Sequence, residues 1–316
     1  MPGLRRLTGR RIWVCGHRGM VGSVIVRRLE EAGAQVLVTP RDAVDLRRQE
    51  AVERFVHDHR PEEIVLAAAT VGGIAANLAR PVEFLQDNLL IAANVMAAAH
   101  RHDVERLLYV ASSAVYPRDA PQPSGEDALL TGPLEPTHEG YAIAKIAGIK
   151  LAQSYHRQYG RAYFSVLPTN LYGRGDNFDP QTSHVIPALI RKAHTAKREG
   201  NDHITIWGSG QARREFLHAD DCAGACIHLL RSNVDAPMFN LGSGEELTIL
   251  ELTQLVCRVV GFTGEIRTDP SKPSGPDRKL LDCSRLRATG WAPQVSLADG
   301  LASTYASFLE RSAGNS

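Results

Sequence analysis

The sequence is poor in cysteine and has no long apolar run. Its five cysteines, Cys15, Cys222, Cys226, Cys257 and Cys283, form no C-x-x-C pair, which excludes the usual zinc-finger spacings. No stretch approaches the roughly 18–20 apolar residues of a membrane-spanning helix. We therefore predict no metal site and no membrane segment, and the scattered thiols favour a protein that works in the reducing cytoplasm.

An excess of one charge is also absent. Lysine and arginine total 36, aspartate and glutamate total 35, and the formal net charge is +1. There is no basic stripe, and aromatic residues make up only 6% of the chain, so we predict no nucleic-acid partner. An apolar fraction of 43% and a length of 316 residues suit a globular protein of one large domain or two coupled ones.

Short apolar runs alternate with helical patterns through the first half of the chain. Residues 12–15, 64–68 and 107–111 are wholly apolar and predict buried strands, and residues 21–32, closed by Gly33, predict a helix. Strands of this kind belong to parallel sheets that helices cover on both faces. The predicted fold class is α/β, with a Rossmann-like, doubly wound parallel sheet.

The rhythm changes after Pro168. Residues 171–183 are rich in Gly, Asn, Asp and Pro and lack periodicity, which predicts a long and functional loop. We therefore divide the chain into a dinucleotide-binding domain, residues 1–167, and a smaller α/β substrate-binding domain, residues 168–316, that caps the carboxyl edge of the sheet. Residues 213–242 are expected to return to the first domain.

A glycine-rich turn follows the first predicted strand. Gly16, Gly19 and Gly22 have the spacing G-x-x-G-x-x-G and lead into a helix. Glycine permits positive φ and a close approach of the backbone to a pyrophosphate, and the helix directs its first amides, near Met20 and Val21, at that anion. The turn predicts a dinucleotide site.

The end of the second predicted strand, residues 36–38, indicates which dinucleotide binds. Many NAD enzymes place an acidic residue there to hold the ribose 2′-hydroxyl, but this chain has Arg41. An arginine suits a 2′-phosphate, and Arg18 supplies a second positive charge, so we predict NADP(H). Asp45 and Leu46 are placed to meet the adenine end. The alternative is that Arg41 is a solvated surface residue.

Three further residues form a hydroxyl-activating set. Tyr141 and Lys145 are one helical turn apart, so their side chains share a helix face. The ammonium is expected to lower the pKa of Tyr141 from its usual value of about 10. Ser112 follows a predicted strand and can donate to a substrate oxygen. The set predicts proton transfer at a hydroxyl or ketone during hydride transfer.

These motifs resemble those of the extended short-chain dehydrogenase/reductase family and, within it, of the GDP-L-fucose synthases. The resemblance runs from about residue 11 to residue 310. Its segments are 16–23 (GHRGMVGS), 71–74 (VGGI), 134–137 (LEPT), 141–148 (YAIAKIAG), 168–173 (PTNLYG), 183–189 (SHVIPAL), 214–218 (REFLH) and 278–282 (RKLLD).

The resemblance implies an NADPH-dependent homodimer that inverts C3 and C5 of GDP-4-keto-6-deoxy-D-mannose and then reduces C4. By the same resemblance, His184 is one acid–base of the epimerisation and Asn170 contacts the substrate near its phosphates. Arg214 and Lys279 are expected to bind the diphosphate and the sugar side. Further expected contacts are Ala68, Lys145, Pro168 and Leu171 with the cofactor, and Ser113 and Trp207 with the substrate.

One position departs from the resembled pattern. The family reads Ser-Ser-Cys-Ile-Tyr-Pro, whereas residues 112–117 read SSAVYP, so Ala114 replaces the cysteine that exchanges protons at C3 and C5. Inversion beside a ketone needs a proton removed from one face and returned to the other, and His184 serves only one face. His138, which stands at a family asparagine, is a candidate for recruitment, although a histidine at a helix entry is more often solvated.

Several functions therefore stay open. The leading one is an NADP-dependent enzyme on a GDP-hexose, which still makes GDP-L-fucose or a close relative, or acts only as a 4-keto reductase. The alternative is an epimerase that oxidises C4 of GDP-mannose transiently and inverts C5 alone, giving GDP-L-gulose, or C3 and C5 together. A non-catalytic scaffold that senses NADP(H) is a different class, but such proteins usually lose the tyrosine or lysine that this chain keeps.

Overall fold

The computed structural model describes residues 4–180, 182–233, 236–272 and 275–314. The strands are β1 (Arg11–Cys15), β2 (Gln35–Leu37), β3 (Glu63–Leu66), β4 (Arg106–Val110), β5 (Ala162–Pro168), β6 (Asn170–Tyr172), β7 (His203–Trp207), β8 (Arg213–His218), β9 (Met238–Leu241), β10 (Glu246–Thr248), β11 (Glu265–Asp269) and β12 (Arg278–Lys279). The helices are α1 (Met20–Glu31), α2 (Gln49–His59), α3 (Ile74–Ala79), α4 (Pro81–Arg101), α5 (Glu139–Tyr159), α6 (Val185–Glu199), α7 (Ala219–Arg231), α8 (Ile249–Val260), α9 (Ser284–Arg287) and α10 (Leu297–Gly314). Short 3-10 turns lie at Ser113–Val115, Glu126–Ala128 and Pro136–His138.

A parallel sheet forms the centre of the first unit. In the described residues its strand order is β2-β1-β3-β4-β5-β9, and every neighbouring pair is parallel. Helices α2, α4 and α5 cover one face, and α1 and α7 cover the other. The predicted fold class, a doubly wound α/β sheet, is confirmed.

Strand β1 shows why most residues of these strands are apolar. Ile12 and Val14 belong to the core on one face of the sheet, and Trp13 and Cys15 belong to the core on the other. Successive side chains of a strand point to opposite faces, and both faces are buried under helices, so Ile12 to Cys15 are all apolar. Ser165 on β5 and Asn240 on β9 are buried polar exceptions within the sheet.

The parallel direction also places the turns that matter for function. Gly16 follows β1, Ala68 lies just beyond β3, Ser112 follows β4, and Pro168 ends β5. These positions share the carboxyl edge of the sheet, which is where ligands bind in open α/β sheets.

The second unit covers that edge. Strand β8 pairs with β6, β10 and β12, and β7 pairs with β11. Helices α6, α8 and α10 enclose a core that includes Tyr172, Phe216 and Leu252. The buried carboxylate of Glu215 on β8 accepts hydrogen bonds from the amides of Gly244 (2.7 Å) and Leu281 (3.2 Å), which ties this sheet to the segments that follow it.

Two details of the second half differ from the sequence-based expectation. Strand β6, Asn170–Tyr172, pairs with β8, so the irregular loop begins only after Tyr172. Gln181, which belongs to the predicted loop, lies outside the described residues. Within residues 213–242, α7 and β9 join the first unit, whereas β8 lies in the smaller sheet. Its first residues, Arg213 and Arg214, are charged and only partly buried.

The described part of the chain has no helix that is both long and apolar enough to cross a bilayer. It contains no group of three or more His, Cys, Asp or Glu side chains arranged to hold a metal ion. The cysteines are free and buried, and burial raises the pKa of Cys15 well above its usual value, which keeps that thiol protonated.

Gly148 provides a test of the packing between α5 and the sheet. A Cβ added there would lie 2.6 Å from the ring of Tyr109, which is almost fully buried. We expect Gly148→Ala to lower the free energy of unfolding by about 1–3 kcal/mol despite its gain in helix propensity, as measured by urea denaturation. Gly125→Ala is the control, because nothing lies within 4 Å of its added Cβ. An unchanged unfolding midpoint for Gly148→Ala would contradict this account of the packing.

Candidate active site

A cleft of about 900 Å³ runs along the carboxyl edge of the central sheet and on between the two units. It contains residues from the glycine turn, from the start of α5 and from β8. The structure brings together every residue predicted for the site, although their individual roles stay predictions. The cleft is lined by Gly16, Arg18, Gly19, Met20, Val21, Gly22, Arg41, Asp45, Leu46, Ala68, Ser112, Ser113, Tyr141, Lys145, Pro168, Asn170, Leu171, His184, Trp207, Arg214 and Lys279.

The glycine turn is too tight for side chains. Gly16 has a φ of +89°, and a Cβ there would lie 2.7 Å from the amide nitrogen of Ala68. A Cβ on Gly22 would overlap the carbonyl oxygen of Gly16. Helix α1 begins with Gly19 as its N-cap, which provides no side-chain cap. The first amides of the helix can therefore donate to an anion in the cleft.

Beyond β2, the cleft is lined by charged residues. Arg18 and Arg41 are both exposed on its wall. Asp45 pairs with Arg47 at 2.7 Å, and this hydrogen-bonded pair lowers the pKa of Asp45 to about 2. Arg47 also contacts Asp87 at 3.3 Å. Asp45 therefore lines the predicted adenine end of the cleft as one partner of an ion pair.

The predicted catalytic set is assembled at the start of α5. The ammonium of Lys145 is buried and donates to the carbonyl of Val110 at 2.9 Å. It also lies 4.8 Å from the centre of the Tyr109 ring and 5.8 Å from that of Tyr141. The Ser112 side chain is near enough to the Tyr141 hydroxyl to favour its ionised form, and both side chains line the cleft.

Burial dominates the charge state of this set. It raises the pKa of Tyr141 to about 12, against the opposing hydrogen bond of Ser112. It also lowers the pKa of Lys145 to about 7. The expected lowering of the Tyr141 pKa by the ammonium is therefore not found. The physical reason is that burial outweighs the effect of the ammonium, which donates to Val110 and lies 5.8 Å from the centre of the Tyr141 ring.

Two cations lie side by side at the end of the cleft formed by the second unit. Lys279 on β12 is paired in register with Arg214 on β8. Burial, together with the charge of Arg214, lowers the pKa of Lys279 to about 8. Asn170 is held beside them, because its side-chain amide donates to the carbonyl of Glu215 at 2.9 Å. An anion between these groups would relieve the repulsion between the two cations.

Two histidines line the cleft from different elements. His184 is the N-cap of α6, and desolvation lowers its pKa. His138 is the N-cap of α5, and burial, with the charge of Lys279, lowers its pKa to about 4. The neutral form of each imidazole is thereby favoured, and a neutral imidazole can accept a proton.

Sequence reasoning missed some polar residues of the cleft. Arg47 lies two positions beyond the predicted Asp45, and the alternating charges were the only available signal. Glu135 and Thr137 belong to the resembled segment 134–137, yet nothing in that segment marks them as part of the site. Both contribute to a hydrogen-bonded row that ends at His138.

Comparison with known proteins then places the chain among its relatives. Residues 12–242 match the model of the NAD dependent epimerase/dehydratase family. The chain belongs to this family. It is 52% identical over 309 residues to GDP-L-fucose synthase from Sinorhizobium fredii, an alignment that covers 98% of each chain. The family resemblance drawn from the motifs is confirmed.

Solved structures of similar proteins agree with this assignment. A GDP-6-OMe-4-keto-L-xylo-heptose reductase from Campylobacter jejuni matches with a TM-score of 0.90 at 31% identity, over 98% of this chain and 99% of that one. A GDP-D-glycero-L-gluco-heptose synthase from the same organism, solved in the presence of NADPH, matches with a TM-score of 0.87 at 31% identity, over 96% and 98%.

The glycine turn of this family member can be tested by adding single methyl groups. We expect Gly22→Ala to weaken NADPH binding by roughly tenfold or more, because the new methyl collides with the Gly16 carbonyl and displaces the turn. Gly19→Ala should have a smaller effect, since its Cβ would lie 3.3 Å from the same oxygen. NADPH fluorescence titration measures both. Wild-type affinity in Gly22→Ala would contradict the assignment of this turn.

Proposed function

We propose that this protein is an NADP(H)-dependent enzyme that acts on the hexose of a GDP-sugar by epimerisation, C4 reduction or both. The observation that carries the proposal is a single cleft that contains the glycine turn, the Ser112–Tyr141 hydroxyl pair and the two cations Arg214 and Lys279. The identity to the S. fredii synthase, 52% over nearly the full chain, supports the same substrate class.

The residues of the glycine turn fit a dinucleotide. Gly16 and Gly22 allow a turn too tight for any side chain, and the first amides of α1 have no side-chain cap. Arg18 and Arg41 line the same cleft and suit a 2′-phosphate. The NADPH in the Campylobacter jejuni heptose synthase structure supports this choice. When bound, the nicotinamide supplies or accepts the hydride at a sugar carbon.

Tyr141 handles the proton at the sugar oxygen. Burial keeps the phenol protonated at neutral pH, since its pKa is raised to about 12, and this form can donate to a ketone oxygen as that oxygen gains electrons. Ser112 orients the phenol and can donate to the same oxygen. Lys145 holds the helix against Val110 and places its charge beside the ring. In the oxidative direction the proton moves the other way.

The cations of the second unit suit the diphosphate of the nucleotide. Arg214 and Lys279 are neighbours on paired strands, and a guanidinium and an ammonium together can neutralise two phosphate charges. Asn170, held by the carbonyl of Glu215, adds an amide at the same place. This arrangement orients the hexose away from the cations and toward Tyr141.

A reductase without epimerase activity is the second candidate. Ala114 lies in the 3-10 turn that Ser112 caps, and its methyl group carries no exchangeable proton. A side chain that cannot exchange protons favours reduction of C4 without inversion at that side of the sugar. The Campylobacter jejuni heptose reductase supports the occurrence of such an activity among proteins of this fold.

One NMR experiment distinguishes these functions. The enzyme is incubated in D₂O with GDP-4-keto-6-deoxy-mannose and NADPH, and separately with GDP-mannose. NADPH consumption with deuterium at C3 or C5 supports the epimerase–reductase, and consumption without deuterium supports the reductase. A new sugar formed from GDP-mannose without net NADPH consumption supports the transient-oxidation epimerase. No turnover of either sugar, with NADPH still bound tightly, would contradict the proposal and support the scaffold.

Tyr141→Phe tests the proton donor. We expect the NADPH oxidation rate to fall by about 10²–10⁴-fold, because the ring is kept and only the proton donor is removed, while NADPH affinity stays near the wild-type value. Tyr159→Phe on the same helix is the matched control, since Tyr159 is 51% exposed. Full activity in Tyr141→Phe would exclude the assigned role.

The same proposal includes a homodimer that works in the cytoplasm. Exposed apolar side chains lie on three neighbouring helices: Leu78 on α3, Val82 and Leu90 on α4, and Ile143 on α5. Exposed apolar side chains on adjacent helices are a typical protein–protein contact surface. Buried free cysteines suit a reducing compartment.

Charged substitutions on this apolar surface test the predicted dimer. We expect sedimentation equilibrium to give twice the chain mass of 34.5 kDa, and the double variant Leu90→Asp/Ile143→Asp to give a monomer, because two buried charges would be unpaired in the contact. Leu309→Asp on α10, also at an exposed apolar position, should leave the mass unchanged. A monomeric wild-type protein would contradict the proposal.

A further inference from the structure

The turn before α5 carries a hydrogen-bonded row of side chains that the proposed C4 reduction does not use. The hydroxyl oxygen of Thr137 lies 3.2 Å from Oε1 of Glu135 and 3.2 Å from Nδ1 of His138. The backbone amide of Thr137 donates to the same carboxylate oxygen at 3.4 Å. All three residues line the cleft.

The chemistry of the row determines the tautomer of the histidine. A carboxylate only accepts hydrogen bonds, and a hydroxyl has one proton to donate. Thr137 therefore donates to Glu135 and accepts from an Nδ1–H of His138. A neutral imidazole that carries its proton on Nδ1 has an unprotonated Nε2, so the row leaves His138 with a basic nitrogen.

The surroundings of the ring favour this neutral form. Burial disfavours the imidazolium, and the ammonium of Lys279 repels it; together they lower the pKa of His138 to about 4, although Glu135 acts in the opposite sense. His138 is therefore present as a base, and not as a cation, at neutral pH.

His138 stands at the start of α5, three residues before Tyr141. His138 is the N-cap of α5 and Tyr141 belongs to the first turn of that helix. Residues i and i+3 lie on the same side of a helix, with Cβ atoms about 5–6 Å apart. His138 and Tyr141 line the same cleft, so a sugar whose ketone oxygen meets Tyr141 and Ser112 shares that cleft with the imidazole. Ala114, on the adjacent 3-10 turn, has no proton to exchange there.

We infer that His138 is a catalytic residue, whose Nε2 removes the proton from a carbon next to the C4 ketone. The inference rests on the proposed function. Thr137 and Glu135 are positioning residues, since they act only through the ring of His138.

The proposed inversion needs only a proton acceptor, a proton donor and hydrogen bonds to the ketone oxygen, and residues of the cleft can supply them. The C–H bond breaks, its proton forms a bond to Nε2 of His138, and its electron pair moves onto the ketone oxygen, which Tyr141 and Ser112 stabilise by hydrogen bonds. A proton from solvent, relayed by the imidazole of His184, is then added from the opposite face, which inverts the carbon. Proton exchange with solvent restores both imidazoles.

His138→Gln separates this step from the reduction. In D₂O with GDP-4-keto-6-deoxy-mannose and NADPH, deuterium at C3 and C5 reports proton removal, and NADPH oxidation reports the reduction. We expect the variant to lose deuterium incorporation by about 10²-fold or more, while NADPH oxidation and NADPH affinity persist. His57→Gln, at an exposed position on α2, is the matched control and should behave as wild type.

A second pair of variants tests the row itself. Thr137→Val keeps the shape of the side chain but removes the hydroxyl, and we expect about a tenfold slower deuterium incorporation with unchanged NADPH oxidation. Thr137→Ser keeps the hydroxyl and should restore the rate. A purely structural role of Thr137 would alter both readouts together and so would overturn its assignment as a positioning residue.

The outcomes separate the two proposals. Wild-type deuterium incorporation in His138→Gln, with NADPH oxidation intact, overturns the inference and leaves the proposed function standing. Reduction by the wild-type enzyme without deuterium at either carbon also overturns it. If His138→Gln no longer binds NADPH, the Thr137 pair decides, and equal incorporation in Thr137→Val and wild type overturns the inference. A wild-type enzyme that neither oxidises NADPH nor incorporates deuterium contradicts the proposed function itself.

Discussion

The parallel pairing of β1, β3, β4 and β5 is the constraint on which the rest of the structure depends. Burial on both faces favours strands that are mostly apolar, so the polar groups available to a ligand gather where the strands end. Since the strands run in one direction, these ends share one edge. Gly16, Ala68, Ser112 and Pro168 meet there, although almost the whole first unit separates the first from the last along the chain.

Enclosure of that edge has an electrostatic consequence. A poorly solvated cleft disfavours charge on both acids and bases. The pKa of Tyr141 is raised to about 12 and that of Lys145 is lowered to about 7 for this one reason. Lys279 and His138 follow the same trend. Burial therefore weakens charge throughout the site, and an anionic ligand would supply the opposite charge that makes protonation of its lysines more favourable.

The sequence predicts those features that depend on neighbours along the chain. The glycine turn, the pairing of Tyr141 with Lys145 and the apolar strands are local patterns, and the structure contains all of them. Strands β10 and β12 were not foreseen, because segments of three and two residues show no periodicity. The missing effect of Lys145 on the pKa of Tyr141 has a tertiary cause as well, since the carbonyl of Val110 binds the ammonium. Spacing can place two side chains on one face, but it does not reveal a third group that competes for one of them.

The last strand of the central sheet has an implication for how such proteins are recombined. Helix α7 and strand β9 belong to the first unit in space but to the second half of the chain in sequence. A fragment that stopped after β5 would expose the inner side of α1 and a bare sheet edge, both of which invite aggregation. A chimera with a foreign sugar-recognition module must therefore exchange separate segments on either side of α7 and β9. Single crossover points, the simplest route in evolution or in the laboratory, do not preserve this architecture.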